Sequence, residues 1–187
     1  MTTDTVQEVG VSTWSIDPAH SSVHFKVRHM GIAWVRGEFR VLRGKLNWNE
    51  NNIEESRVEV EIDSSTVYSS EPKRDQHLRN ADFLDVERYP SMHFQSTHIS
   101  RLSPDTALVA GDLTIRGVSR PVELRVTDIS APTRDPSGNV VIGASATAKV
   151  NRKEFGLTWN AVLESGGFVI GDEILIDLDI EFVRATS

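Results

Sequence analysis

Six histidines, His20, His24, His29, His77, His93 and His98, are the residues of this chain best suited to chemistry. Imidazole is the commonest metal ligand and a frequent general base. The spacing argues against a metal: no His-Glu-x-x-His or His-x-His occurs. In Val23-His24-Phe25-Lys26-Val27-Arg28-His29, strand alternation puts His24 and His29 on opposite faces. His29 shares its face with Val23, Phe25 and Val27. A histidine there stays neutral and needs one partner, either as a satisfied core residue or as a polar contact for a ligand head.

A second concentration of polar groups is Arg74-Asp75-Gln76-His77-Leu78-Arg79-Asn80-Ala81-Asp82-Phe83-Leu84. Asp75 and Arg79 stand four apart, and Arg79 and Asp82 three apart, so ion pairs along one helix face are expected. The other reading makes Arg74, His77 and Arg79 donors at a barrel mouth, suited to an oxygen-rich head group. There is no Gly-x-Ser-x-Gly elbow and no glycine-rich phosphate cradle. The absence of cysteine removes disulfides, thiolate metal sites and thiol nucleophiles. No nucleophile, base and oxyanion hole come together, so the chain reads as no enzyme and no metalloprotein. The alternative is an enzyme acting on a small apolar substrate through His29 and His77.

The elements that must position these groups are strands. Period-two alternation runs through Val23–His29, Arg57–Asp63, Ser91–Ser96 and Glu173–Phe182, and through a glycine-punctuated stretch from Val35 to Trp48. Further strands are expected at Ala107–Ile115, Val118–Ile129 and Val141–Val150. That makes about eight, separated by turn signals such as Asp135-Pro136-Ser137-Gly138-Asn139. Glu71 to Asp85 lacks alternation, carries Pro72 near a helix N1 position and predicts a helix of about three turns. Asn151 to Leu163 is irregular. Residues 1–12 are expected to be a flexible segment and 13–187 a single domain.

With 187 residues, 39% hydrophobic and 25% charged, the chain suits one globular domain. The formal charge of −7, with no basic run, argues against nucleic acid as a partner and against attraction to anionic membranes. The N-terminus has no basic and apolar leader pattern, and no apolar run nears the roughly 20 residues that span a bilayer. The expectation is a cytoplasmic protein that is not membrane-spanning.

In Ile142-Gly143-Ala144-Ser145-Ala146-Thr147-Ala148 either face contributes little volume. An eight-stranded barrel fills itself with large side chains or holds one ligand when some are small. Small residues opposite Phe25, Phe39, Phe94 and Phe182 leave an apolar slot, or merely complete a tapered core. Strands of about eleven residues reach roughly 35 Å, which suits a lipid chain. Burying about 15 methylenes at ~0.8 kcal/mol each offers ~12 kcal/mol before the costs of association.

Four segments resemble the YceI family of polyisoprenoid-binding proteins. They are Trp14–Met30, Arg74–Asp85 with Tyr89-Pro90 and Phe94, Gly111–Val122, and Asn151–Leu157, in order between about residues 13 and 183. The resemblance implies an all-β fold, an extended eight-stranded antiparallel lipocalin-like β-barrel with one short α-helix. It implies an isoprenoid lipid in the lumen, a prenyl quinone or polyprenyl phosphate, held for transport, storage or sequestration with no other cofactor. Combined with alternation, it nominates Phe25, Val27, His29, Phe39, His77, Phe83, Phe94, Phe155, Trp159 and Phe168 as the binding residues. A homodimer is compatible with it. Leu163 to Gly171, with Gly166-Gly167, is the candidate lid.

Overall fold

The computed structural model describes residues 10–185, and of Val41 and Leu42 the backbone. Eleven strands form: β1 (Val11–Ile16), β2 (Ser22–His29), β3 (Ala33–Phe39), β4 (Val41–Asn49), β5 (Arg57–Asp63), β6 (Ser91–Ser103), β7 (Thr106–Ile115), β8 (Val118–Thr127), β9 (Thr133–Arg134), β10 (Val140–Asn151) and β11 (Ile170–Arg184). Every named pairing is antiparallel. β11 closes the ring: it pairs with β10 on one side and with β1 and then β2 on the other. Because β1/β2 and β3/β4 each run as one interrupted lane, the result is an eight-stranded barrel.

Local patterning explains most boundaries. β5 spans the seven residues whose alternation marks them. β6 runs seven residues beyond Ser96, because a bulge at Thr97 and His98 leaves both exposed and switches the inward set from Met92, Phe94 and Ser96 to Ile99. β1 escapes the sequence reading, its outward face being Val11, Thr13 and Ser15. It begins inside the segment expected to be a flexible N-terminal tail, residues 1–9 of which lie outside the described ones.

The predicted three-turn helix is shorter. α1 (Pro72–Arg79) starts at Pro72, capped by the Glu71 carboxylate, which accepts from the Arg74 N–H. It stops where the Asn80 carbonyl turns to accept the Asp85 N–H, and Asp85 takes a positive φ of 50°. No helix among the described residues is long and apolar enough to cross a membrane.

The two barrel ends differ. Away from α1, Trp14, Ile16, Leu46, Ile99, Val109, Ile142 and Phe182 are buried and form a filled core. Toward α1 the wall holds its large residues apart. Two strand glycines make room there: Gly37 lies under the Phe25 ring and Gly111 under the Phe94 ring. A methyl at Gly111 would overlap that ring and the Gln95 carbonyl, so Gly111→Ala is expected to cost about 1–3 kcal/mol in urea unfolding. Gly143→Ala, with its nearest neighbour 3.8 Å away, is the control and should stay within about 0.5 kcal/mol. Equal losses at the two sites would show that strand glycine itself, not the ring contact, sets the cost.

Candidate functional site

A cavity of about 550 Å³ occupies the α1 half of the barrel, within the size range of small-ligand pockets. Its deep wall is aliphatic and aromatic: Val23, Phe25, Ile62, Phe94, Leu113, Leu124, Ile174, Ile176 and Leu178 face it. Its polar groups come from Glu71, from Lys73, Arg74 and His77 of α1, and from Arg28 and His29 of β2, with Lys73 and Arg28 exposed to water. An apolar chamber with few polar groups suits an amphipathic molecule, tail inward.

Of the residues nominated from sequence, Phe25, Val27, His29, Phe39, His77, Phe83, Phe94, Phe155 and Trp159 lie on this wall. Phe168 does not: it is 58% exposed, pairs with Val162 in an isolated bridge and has the Lys153 ammonium 5.7 Å from its ring centroid. Alternation could not track it across the turn at Gly166 and Gly167, both at positive φ. The candidate lid Leu163–Gly171 contains this turn, closed by the Leu163 N–H to Gly167 carbonyl bond. The alanines of β10 also miss the cavity wall; they pair with large residues of β11, Ala146 with Leu178 and Ala148 with Ile176.

The wall at His77 is built from aromatic edges. His77 stands edge-on to Phe83 (centroids 4.9 Å apart, 82°) and to Trp159 (4.6 Å, 84°), and its Nε2 lies 2.8 Å from Asp82 Oδ2. This replaces the helix-face ion pairs expected from sequence. Arg79 instead donates to the Ser65 and Val67 carbonyls, and the buried Asp75 accepts from the Ser69 N–H. Arg74 donates to the Ser69 hydroxyl and carbonyl. Helical spacing made these pairs available, but neighbouring backbone groups offered partners less exposed to water.

Among the described residues, Asp17, His20 and Glu181 lie close enough to converge on one ion. His20 Nδ1 is 2.9 Å from Asp17 and 3.5 Å from Glu181, outside the cavity wall. The hydrogen bond to Asp17, and then the charge of both carboxylates, raises the His20 pKa; the same bond holds Asp17 low.

The chain matches the YceI-like domain model over residues 14–182. It belongs to the YceI-like family. A UPF0312 protein of Pseudomonas putida strain F1 is 35% identical over 165 residues, 88% of this chain and 82% of that protein. One from Ectopseudomonas mendocina is 34% identical over 139 residues, 74% of this chain and 72% of the relative. Among solved structures, Burkholderia cenocepacia BcnA superposes with a TM-score of 0.76 at 19% identity, covering 91% of this chain and 99% of BcnA. A polyisoprenoid binding domain from Saccharophagus degradans gives 0.64 at 14% identity, covering 92% and 98%.

In this YceI-like barrel the residues that sequence reasoning missed as site builders are Arg152 and Asn160. Arg152 is 3% exposed and lines the cavity. Its guanidinium donates to the carbonyls of Gly171 (2.9 Å), Leu157 (2.6 Å) and Trp159 (2.8 Å) and lies 3.4 Å from the Ile170 carbonyl and Asp172. Burial pushes its pKa down, against the charge of Asp172. Asn160 brackets Ile170, accepting from its N–H at 2.9 Å and donating to its carbonyl at 2.7 Å. Together they pin the 157–171 segment that carries Trp159 and Val169 to the wall. The signal was a lone arginine in an otherwise irregular stretch, and its acceptors lie up to twenty residues away.

Proposed function

We propose that this cavity receives the chain of a long isoprenoid lipid, a prenyl quinone or polyprenyl phosphate, and holds it for transport, storage or sequestration without chemical change. The observation that carries the reading is the make-up of the chamber: a wall mostly of aliphatic and aromatic residues, from Val23 to Leu178, with the exposed cations Arg28 and Lys73 among its few polar groups. A chain buries its methylenes inside while its head stays near water. Lys73 has no ion pair among the described residues, which suits an anionic or carbonyl-bearing head. The Saccharophagus degradans domain, a polyisoprenoid binding domain by name, shares the fold.

Native mass spectrometry of the purified protein, followed by organic extraction, tests it. The expected result is one bound species with isoprenoid mass increments, or stoichiometric uptake of added prenyl quinone. Protein at bare chain mass that takes up neither prenyl quinone nor polyprenyl phosphate would remove the proposal. Turnover of a small apolar substrate, lost in folded His29→Ala and His77→Ala variants, would replace it with the catalytic reading.

A further inference from the structure

Two turns project beside the cavity mouth with apolar side chains facing water. The β2–β3 turn exposes Met30 (41%) and Ile32 (78%), and the turn before β11 exposes Val162 (76%) and Phe168 (58%). The Met30 N–H donates to the Val169 carbonyl at 2.8 Å, joining the two turns. His29 and Val169, at their roots, both line the cavity. Leaving these side chains in water forgoes their transfer free energy, and such apolar tips mark contact surfaces.

Behind the tip the β2–β3 hairpin carries three cations, Lys26, Arg28 and Arg36, against one acid, Glu38. Lys26 and Arg36 lie directly opposite each other across the two strands, a like-charge pair that costs stability unless an outside anion meets it. Arg28 joins them, with its guanidinium 4.1 Å from the Trp34 ring centroid and the Lys26 ammonium 5.8 Å from the same ring. None of the three makes an ion pair among the described residues. Of the nearby acids, Asp172 is taken by Arg152 and Lys153, Glu173 by Lys149, and Glu38 lies 3.9 Å from His24. Asp177 faces His24 across β2 and β11, and Glu164 remains on the second turn.

We infer that these two turns dock on the surface of an anionic lipid bilayer, the apolar tips entering the headgroup boundary and Lys26, Arg28 and Arg36 meeting lipid phosphates. A tryptophan flanked by cations behind an apolar tip is the arrangement that an interface between hydrocarbon and water stabilises. Docking this way sets the cavity mouth against the membrane, where a lipid would enter. The net charge of −7, which argues against anionic membranes when the chain is taken whole, does not decide the matter. Charges beyond about 10 Å are screened at ordinary salt, so the field at the tip belongs to its own cations. The same cations disfavour a second copy as the occupant, since a two-fold contact sets the patch against itself. The purpose of docking rests on the lipid-binding reading; its geometry does not.

The test is sedimentation of the full chain with vesicles of phosphatidylcholine alone and of phosphatidylcholine mixed with phosphatidylglycerol, at low and raised salt. The protein is expected to bind the anionic vesicles and to release as salt rises. Lys26→Gln and Arg36→Gln should each lower partitioning about fivefold. Ile32→Ser combined with Phe168→Ser should lower it about tenfold or more. Uptake of detergent-solubilised prenyl quinone should be unchanged in all of these variants, which separates docking from the cavity. Vesicle binding that the tip variants lose, in a protein unable to take up quinone, would support docking while the carrier reading fell. Absence of binding at low salt, or variants that sediment like the parent, would overturn the inference. So would a dimer that Ile32→Ser dissociates without any vesicle binding.

Discussion

Arg152→Met is expected to lower the unfolding free energy by about 3–5 kcal/mol in urea denaturation and to release the 157–171 segment, seen as lost amide protection from hydrogen exchange. Methionine keeps most of the side-chain stem but leaves the carbonyls of Leu157, Trp159 and Gly171 without their donor. Each carbonyl left unpaired in a buried place costs about 1–3 kcal/mol, so the sum is set by how many find water. The ion pair is not the source of the effect. Asp172 is 44% exposed and sits at 3.4 Å, so Asp172→Asn should cost under about 1 kcal/mol. Arg152→Lys should recover little, because an ammonium cannot present the planar fork that reaches several carbonyls at once. A loss below about 1 kcal/mol for Arg152→Met would assign the segment's order to Asn160 and the strand pairing alone.

Ile176→Trp is expected to reduce prenyl-quinone uptake at least tenfold while leaving stability within about 1 kcal/mol of the parent. Ile176 lies between Phe25 on β2 and Ala148 on β10, and its side chain faces the chamber. An indole there takes space that the lipid chain would use, without the strain that overpacking brings to a filled core. The matching change at the filled end, Ile142→Trp, should destabilise, since Ile142 is buried in the packed cluster. Titration followed by native mass spectrometry gives the uptake, and urea unfolding the stability. Undiminished uptake by a folded Ile176→Trp protein would place the chain outside this chamber.

These outcomes depend on features of unequal visibility in the sequence. Phe25, Val27 and Phe94 were legible because each sits in a run of clean alternation, and the wall face of a strand follows from parity alone. Parity fails where the backbone changes phase. The bulge at Thr97 and His98 hid the second half of β6. A register shift between Ile170 and Ile174 sets residues 171–173 against Arg28 alone, and this is where the Gly171 carbonyl turns to Arg152. Phe168 was misplaced for a related reason, since it follows two glycines at positive φ and no strand period carries across them.

The sequence by itself determined the all-β class, the start of α1 at Pro72 and part of the wall, Phe25, Val27 and Phe94 among it, because alternation and capping are local and need only neighbouring residues. The tertiary structure decided that the strands close into a ring, since Ile16 finds Phe182 and Val23 finds Leu178 only through pairing between distant parts of the chain. It also decided which end stays open and that Arg152 reaches the Gly171 carbonyl. Those contacts join residues far apart in the chain, and no local period encodes the partner across the barrel.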